Sequence, residues 1–263
     1  MIKRVAYENV IFDIETDNNS LYKMFNNSEG KPNVFIPHIL PEGDRIDTLT
    51  DEFTNDWFHR ITIDDDITVQ DHAFYFAHVK EVVWPTNCTT IPTGCFLNSD
   101  IEKITNIQNV TQIEEAAFKG TSITEFEWPS GCTEIPWRCF GTSSIERLLN
   151  TDNITQVGEY AFEFCRIGQF KWPSKCRVIP KGCFFSCPIK SITNIENVLF
   201  IGSEAFRSVD PSFSVDLSQT MVSEIEQGAF LFCKKSNIVM PYYISEEKAN
   251  MAFRMSSEEL GKI

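Results

Sequence analysis

The 263-residue chain reads as a solenoid of 22-residue coils, with short parallel strands stacked along one face and turns or short helical pieces along the other. Three patterns carry that reading. Phenylalanine recurs at a fixed step of 22 as Phe74, Phe96, Phe118, Phe140, Phe162, Phe184 and Phe206, and Phe230 follows 24 residues later. Apolar columns keep time with it. Five residues earlier stand Val69, Ile91, Ile113, Ile135, Val157, Ile179, Ile201 and Ile225, and immediately before it stand Ala73, Cys95, Ala117, Cys139, Ala161, Cys183, Ala205 and Ala229. Successive coils also alternate: Trp84-Pro85, Trp128-Pro129 and Trp172-Pro173 lie 44 apart, while Asn106, Asn150 and Asn194 hold the tryptophan position in the coils between. One coil cannot bury its own inward face, so such columns imply stacking of coil on coil.

Residues 1–32 are not repeat-like. They offer a strand candidate from Val5 to Ile14, then polar turns at Asp17–Ser20 and Asn26–Gly30, and read as an anchor or cap. The solenoid is expected over residues 33–241. Its first part, 33–53, reads as a degenerate capping coil, with an early strand end at Ile36-Pro37, an insertion around Glu42-Gly43-Asp44, and Phe53 standing 21 before Phe74. In the regular coils the run after each phenylalanine, such as Ser122–Trp128, alternates and ends at proline, which signals a strand. The stretch before it, such as Gln112–Phe118, spaces apolar residues by four or five and reads as a turn or short helical piece. Residues 242–263 read as a helical cap. Met251, Ala252, Phe253 and Met255 supply its apolar stripe, and Ser256 and Glu259 have capping-box spacing. Open solenoid ends expose strand edges that need cover.

The unit Ile123-x-x-Phe126-x-Trp128-Pro129-x-x-Cys132-x-x-Ile135-Pro-x-x-Cys139-Phe140 resembles the BspA-like leucine-rich repeats. Val157-Gly158-Glu159-Tyr160-Ala161-Phe162 and Ile201-Gly202-Ser203-Glu204-Ala205-Phe206 follow the second half of that consensus. The resemblance spans roughly residues 54–241. It implies an α/β leucine-rich-repeat solenoid and an interaction role rather than a reaction. It also implies an asparagine ladder at Asn87, Asn109, Asn153 and Asn197. Sequons occur at Asn18, Asn26, Asn87, Asn109 and Asn153, and glycans on the last three would disrupt such a ladder.

Composition narrows the partners. A 42% apolar fraction with 13% aromatic residues is ample for a packed core and argues against disorder. Net charge is -14, and residues 1–66 hold 14 acidic against 6 basic side chains, so nucleic acid and anionic membrane surface are poor partners. No apolar run reaches membrane-spanning length. Nothing near Met1–Val5 resembles a secretory signal, so synthesis in the cytoplasm and residence in a virion or the cytoplasm are expected rather than secretion. The nine cysteines fall in columns otherwise filled by Val, Ile, Ala, Ser or Thr, and read as small buried hydrophobes. Cys165 and Cys187 stand one coil apart, which leaves a bridge open there.

Outward strand positions supply the candidate site. One line runs Glu81, Lys103, Glu125, Arg147, Gln169, and the next Val83, Thr105, Glu127, Leu149, Lys171. These are candidate partner-binding residues; equally, the alternating signs of the first line suit cross-strand ion pairs. Asp64-Asp65-Asp66 near His59, His72 and His78 lacks the spacing and glycine of a calcium loop and reads as a solvated turn. Trp84, Trp128 and Trp172 read as a core ladder rather than a sugar-stacking platform. Phosphate-loop, nucleophile-elbow, zinc-helix and dinucleotide fingerprints are lacking, so no catalytic residue, cofactor or metal is expected. The expectation is a non-enzymatic scaffold for a protein partner, with glycan as the other ligand class and oligomerisation through a larger assembly. A structural or attachment component such as that of a phage virion is the first setting, a cell-surface adhesin the second.

Overall fold

The computed structural model describes residues 1–8, 10–26, 30–40, 43–50 and 56–255. It divides into two compact units, Met1–Thr124 with Pro129–Gly131, and Glu125–Trp128 with Cys132–Ile263.

The first unit opens with an antiparallel meander of β1 (Ile2–Tyr7), β2 (Val10–Glu15) and β3 (Ser20–Asn26). The expected single strand from Val5 to Ile14 is therefore a hairpin, which turns at Glu8 with φ 52°. Alternation across β1 and β2 looks like one long strand in sequence, because the period of two continues through the turn. Val5, Phe12, Ile14, Leu21 and Met24 are buried. Asp13 is buried too, and Arg4 grips both its carboxylate oxygens at 2.7 Å.

From β3 onward this unit turns parallel. Its first sheet continues through β5 (Thr48–Leu49) to β7 (Thr68–Val69) in the order β1-β2-β3-β5-β7. A second sheet joins β4 (Asn33–Ile36), β6 (Trp57–Ile63), β8 (His78–Val83) and β10 (Lys103–Thr105). The short β9 (Thr90–Ile91) and β11 (Gln112–Ile113) pair alongside. Register tracks the fading rhythm: Val34 pairs with Ile61, 27 residues on, Ile61 with Val82 after 21, and Val82 with Ile104 after 22. Phe53 and Glu42 lie outside the described residues.

The second unit is built the same way from regular coils. Longer strands pair in parallel as β12 (Glu125–Glu127) with β14 (Arg147–Leu149), and β16 (Gln169–Lys171) with β18 (Ser191–Thr193). Two-residue strands form a second ladder: β13 (Glu134–Ile135) with β15 (Gln156–Val157), and β17 (Val178–Ile179), β19 (Phe200–Ile201) and β21 (Glu224–Ile225) together. Toward the C-terminus β20 (Val215–Asp216) pairs with β22 (Ile238–Val239), and α1 (Glu246–Met251) follows. Ser245 caps α1 by accepting from the Lys248 amide. Of the expected apolar stripe, Met251 ends the helix and Ala252 is its C-cap, while Phe253 and Met255 lie beyond it. The Phe230 amide donates to Ala252 O at 2.8 Å and the Phe253 ring lies 5.8 Å from that of Phe230, so these residues extend the phenylalanine column. The expected capping box at Ser256 and Glu259 lies outside the described residues.

The stretch around each phenylalanine is a turn, which narrows the α/β expectation to stacked β coils with few helices. In all eight coils from Phe74 to Phe230 the residues two before and two after the ring have positive φ, for example Tyr160 at 57° and Phe164 at 55°. A helix needs consecutive right-handed residues whose amides all point one way. Alternating hands turn successive amides in opposite directions. Tyr160, Phe162 and Phe164 donate to Lys181, Cys183 and Phe185 of the next coil, while Glu163 and Cys165 donate within their own coil to Tyr160 and Phe162. Gly182 needs its lack of a Cβ twice over: its φ is 59°, and a Cβ there would collide with the Tyr160 ring.

Side chains complete the stack. In the first unit Phe96 stacks on Phe74 at 5.0 Å and on Phe118 at 5.6 Å. In the second, Phe162 stacks on Phe140 at 5.9 Å and on Phe184 at 5.5 Å, with all three rings fully buried. Aromatic pairs of this kind contribute about 0.5–1.5 kcal/mol beyond their burial. Trp84, Trp128 and Trp172 are fully buried, as a core ladder requires, and each indole N–H donates to the carbonyl of Cys88, Cys132 or Cys176 four residues on. Asn106, Asn150 and Asn194, at φ 65°, 59° and 63°, donate in turn to the carbonyls of Trp84, Trp128 and Trp172 at 2.6–2.7 Å. The asparagine ladder thus occupies the tryptophan column. Asn87, Asn109, Asn153 and Asn197, where the family resemblance placed it, are exposed, and of these Asn109 donates to the Thr86 carbonyl one coil back at 3.3 Å.

All nine cysteines are free. Burial pushes the Cys95, Cys139 and Cys183 thiols far up, those of Cys132 and Cys176 to about 11, and that of Cys233 to about 12. They serve as neutral packing groups. Cys165 Sγ lies 3.4 Å from Cys187 Sγ, in contact but unbonded.

Candidate functional site

The strand positions singled out from the sequence face outward in both units. In the first, Lys103 pairs in register with Glu81 and Thr105 with Val83. Glu81 Oε1 lies 3.9 Å from Lys103 Nζ and 4.0 Å from Arg60 Nε, so one carboxylate is shared between cations on two neighbouring strands. Lys80 and Glu102 add a closer pair at 2.6 Å, and the Trp57 ring stacks on His78 at 4.2 Å.

In the second unit Glu125 pairs in register with Arg147 and Glu127 with Leu149, and Arg147 contacts Glu125. Gln169 and Lys171 lie opposite Ser191 and Thr193. Glu125, Glu127, Arg147, Leu149, Gln169 and Lys171 are all exposed, and Leu149 is the one large apolar side chain among them. The alternating charges are ion pairs within each unit. Between exposed partners such pairs contribute about 0.2–1 kcal/mol each. They rigidify a polar strand side whose remaining hydrogen-bonding capacity faces water.

The aspartate run is a turn that uses its carboxylates. Asp64 Oδ1 accepts from the Asp66 amide at 3.1 Å and Asp65 Oδ1 from the Thr86 amide at 2.6 Å. The histidine that approaches it is His38, which the sequence did not tie to this run. His38 Nδ1 is 3.5 Å from Asp66 Oδ2, and its Nε2 is 2.8 Å from Asp47 Oδ1. The Asn19 amide, then His38 and Arg45, hold the Asp47 carboxyl below the usual carboxylate range. His38, Asp64 and Asp66 together could offer three donor atoms to a metal ion, and among the described residues no further feature points to one.

Sequence reasoning passed over the turn side of the second unit. There Trp137, Phe164 and Phe232 expose rings beside Arg138 and Arg207. Their signal was present as bulky residues at fixed distances from the buried phenylalanine. It becomes legible only once those positions are known to face outward.

The family model of the BspA type leucine rich repeat region matches the chain in six copies over residues 50–167 and 136–258. A leucine rich cell surface protein from Faecalibacterium prausnitzii is 16% identical, with 97% of this chain and 98% of that one covered, at a TM-score of 0.36. A leucine-rich repeat protein from Bacteroides ovatus is 14% identical, covering 92% and 89%, at 0.42. The T. pallidum leucine rich repeat protein is 11% identical, covering 94% of each chain, at 0.40. No curated protein matches the sequence.

Proposed function

Because the chain belongs to the BspA-type leucine-rich-repeat family, we propose that it is a non-enzymatic scaffold that holds a protein partner on its coils. One observation carries this reading. The interior is filled by stacked phenylalanine and tryptophan columns, and the polar and aromatic side chains left outside are fixed in register by the ladders beneath them. A surface so preorganised loses little further side-chain entropy when a partner docks. On the strand side the contact positions are Glu81, Val83, Lys103 and Thr105 in the first unit, and Glu125, Glu127, Arg147, Leu149, Gln169 and Lys171 in the second.

The setting we propose is a larger assembly, as a structural or attachment component such as that of a phage virion. The meander β1–β3 supports it. This non-repeat element presents its outer strand with Ile2 half exposed, a form suited to joining another protein. Immunogold labelling with antibody against this chain tests the setting. Labelling of purified particles is expected; labelling of intact cell surfaces with bare particles would replace the assembly component by an adhesin.

A further inference from the structure

A continuous run of rings and cations crosses the turn side of the second unit. The Arg138 guanidinium lies 4.6 Å from the Trp137 ring and 5.3 Å from the Tyr160 ring, and Lys181 Nζ lies 5.9 Å from the same tyrosine. Tyr160 Oη donates to Glu204 Oε2 at 3.4 Å, and Glu204 Oε1 accepts from Arg207 at 2.7 Å. Arg207 in turn lies 5.4 Å from the Phe185 ring and 5.8 Å from Phe232, and Phe164 meets Phe185 edge-on at 5.0 Å.

Three features set this run apart from the strand side. The first is exposure of large rings: Trp137 is 39% exposed, Phe164 51% and Phe232 66%. Tryptophan, tyrosine, phenylalanine and arginine are the side chains enriched where partners bind.

The second is backbone. Phe164 and Phe232 have φ of 55° and 67°, a left-handed conformation unfavourable for a bulky residue. Ser186 and Ser208 fill the same position in sister coils. A phenylalanine there leaves half or more of its ring in water and has no easy backbone, so burial alone does not explain it.

The third is charge. Carboxylates on this side are engaged internally: Glu163 Oε1 stands 3.1 Å from Arg138 Nε, Glu204 holds Arg207 and Tyr160, and Glu226 accepts from the Ser203 amide at 2.7 Å. Glu159 is exposed near Lys181. Exposed cations stand two residues after these two phenylalanines, Arg166 after Phe164 and Lys234 after Phe232, while Asp210 holds that place after Ser208. In a chain of net charge -14, this is a surface where cations and rings face outward together.

We infer that the turn side from Trp137 to Phe232 is a docking surface for an extended acidic segment of a partner protein bearing aromatic or long aliphatic side chains. The inference rests on the scaffold reading and adds to the strand positions a second contact surface and the chemistry of the segment bound there. Its carboxylates meet the cations and its apolar side chains lie on the exposed rings. Four coil-to-coil steps at about 4.8 Å span about 19 Å, the reach of about six extended residues.

Selection of 12-residue peptides from a displayed library against the full chain, followed by fluorescence anisotropy with the selected peptides, tests it. Acidic sequences containing an aromatic or long aliphatic residue are expected. Their affinity should fall at least tenfold in F164N and F232N and weaken with salt, while K175A, an exposed position outside both surfaces, leaves it unchanged. Asparagine accepts the left-handed backbone, so the thermal midpoints of F164N and F232N should hold or rise, which separates lost binding from lost folding. Selection of basic peptides, or affinity that follows E125A and K171A instead, overturns this surface and leaves the scaffold reading intact. Binding of a glycan panel through the same rings replaces the peptide as occupant. Failure to select any ligand from either library counts against both readings.

Discussion

The meander of the first unit and the coils of the second bury their apolar faces by opposite means. In β1–β3 each strand pairs with its neighbour in sequence, and the core is assembled from alternation: Val5 faces Phe12 and Ile14 faces Leu21 across antiparallel ladders. In the second unit each residue pairs with its own equivalent one coil later, as Ile135 does with Val157 and Phe170 with Ile192. The meander is therefore held by local pairs of differing character, and the coils by columns of like residues. The lesson is that a parallel in-register stack writes its contacts into the sequence as a period, whereas a hairpin writes only which residues face inward.

The largest effect that separates the two is expected in the phenylalanine column. Phe162→Ala removes a fully buried ring stacked on both sides and should cost about 3–5 kcal/mol in urea unfolding. Phe253→Ala, in a partly buried ring that stacks on Phe230 at the end of the column, should cost clearly less. Equal losses at the two positions would show that the column is not a nearest-neighbour stack.

Next comes the asparagine ladder. Asn150→Ala loses the bond to the Trp128 carbonyl and forces a Cβ-bearing residue without a compensating side chain into φ 59°, for about 2–3 kcal/mol together. Asn150→Gly keeps the conformation and should lose only about 1 kcal/mol. Thermal melts of both variants measure the split, and identical losses would mean that backbone hand plays no part.

The meander has the clearest response to acid. Arg4 hydrogen bonding holds the Asp13 carboxyl below its ordinary range. A carboxylate depressed in this way stabilises the fold above its unfolded value of about 4, and that contribution disappears as pH falls through the lower folded value. Asp13→Asn should flatten this part of the pH profile. An unchanged acid limb in urea titrations at pH 2–5 would assign the loss to other groups. The smallest expected effect is none at all: reductant should leave the melting temperature where it is, since Cys165 and Cys187 touch as free thiols. A large drop would reveal a bond between them.

Much of the coil architecture was legible because a 22-residue step places Phe140, Phe162 and Phe184 in one environment, and tryptophan in every second coil marks the core strand. What was not legible depends on backbone hand. The residues at positive φ range from Gly182 and Ser186 to Tyr160 and Phe164, so no residue type announces the turn. The ladder of Asn106, Asn150 and Asn194 was visible as a column, yet its bond to the preceding tryptophan carbonyl follows from that same left-handed geometry. The strand-side candidates were placed on outward positions by alternation alone. The turn-side rings were missed because an aromatic residue in sequence reads first as core.

A double-mutant cycle between Phe162 and Phe184, set beside one between Phe162 and Phe206, tests the stacked column most directly. With leucine at each position, the pair one coil apart should show a coupling of about 0.5–1.5 kcal/mol, and the pair two coils apart one near zero. Couplings of equal size, or none between Phe162 and Phe184, would contradict the column.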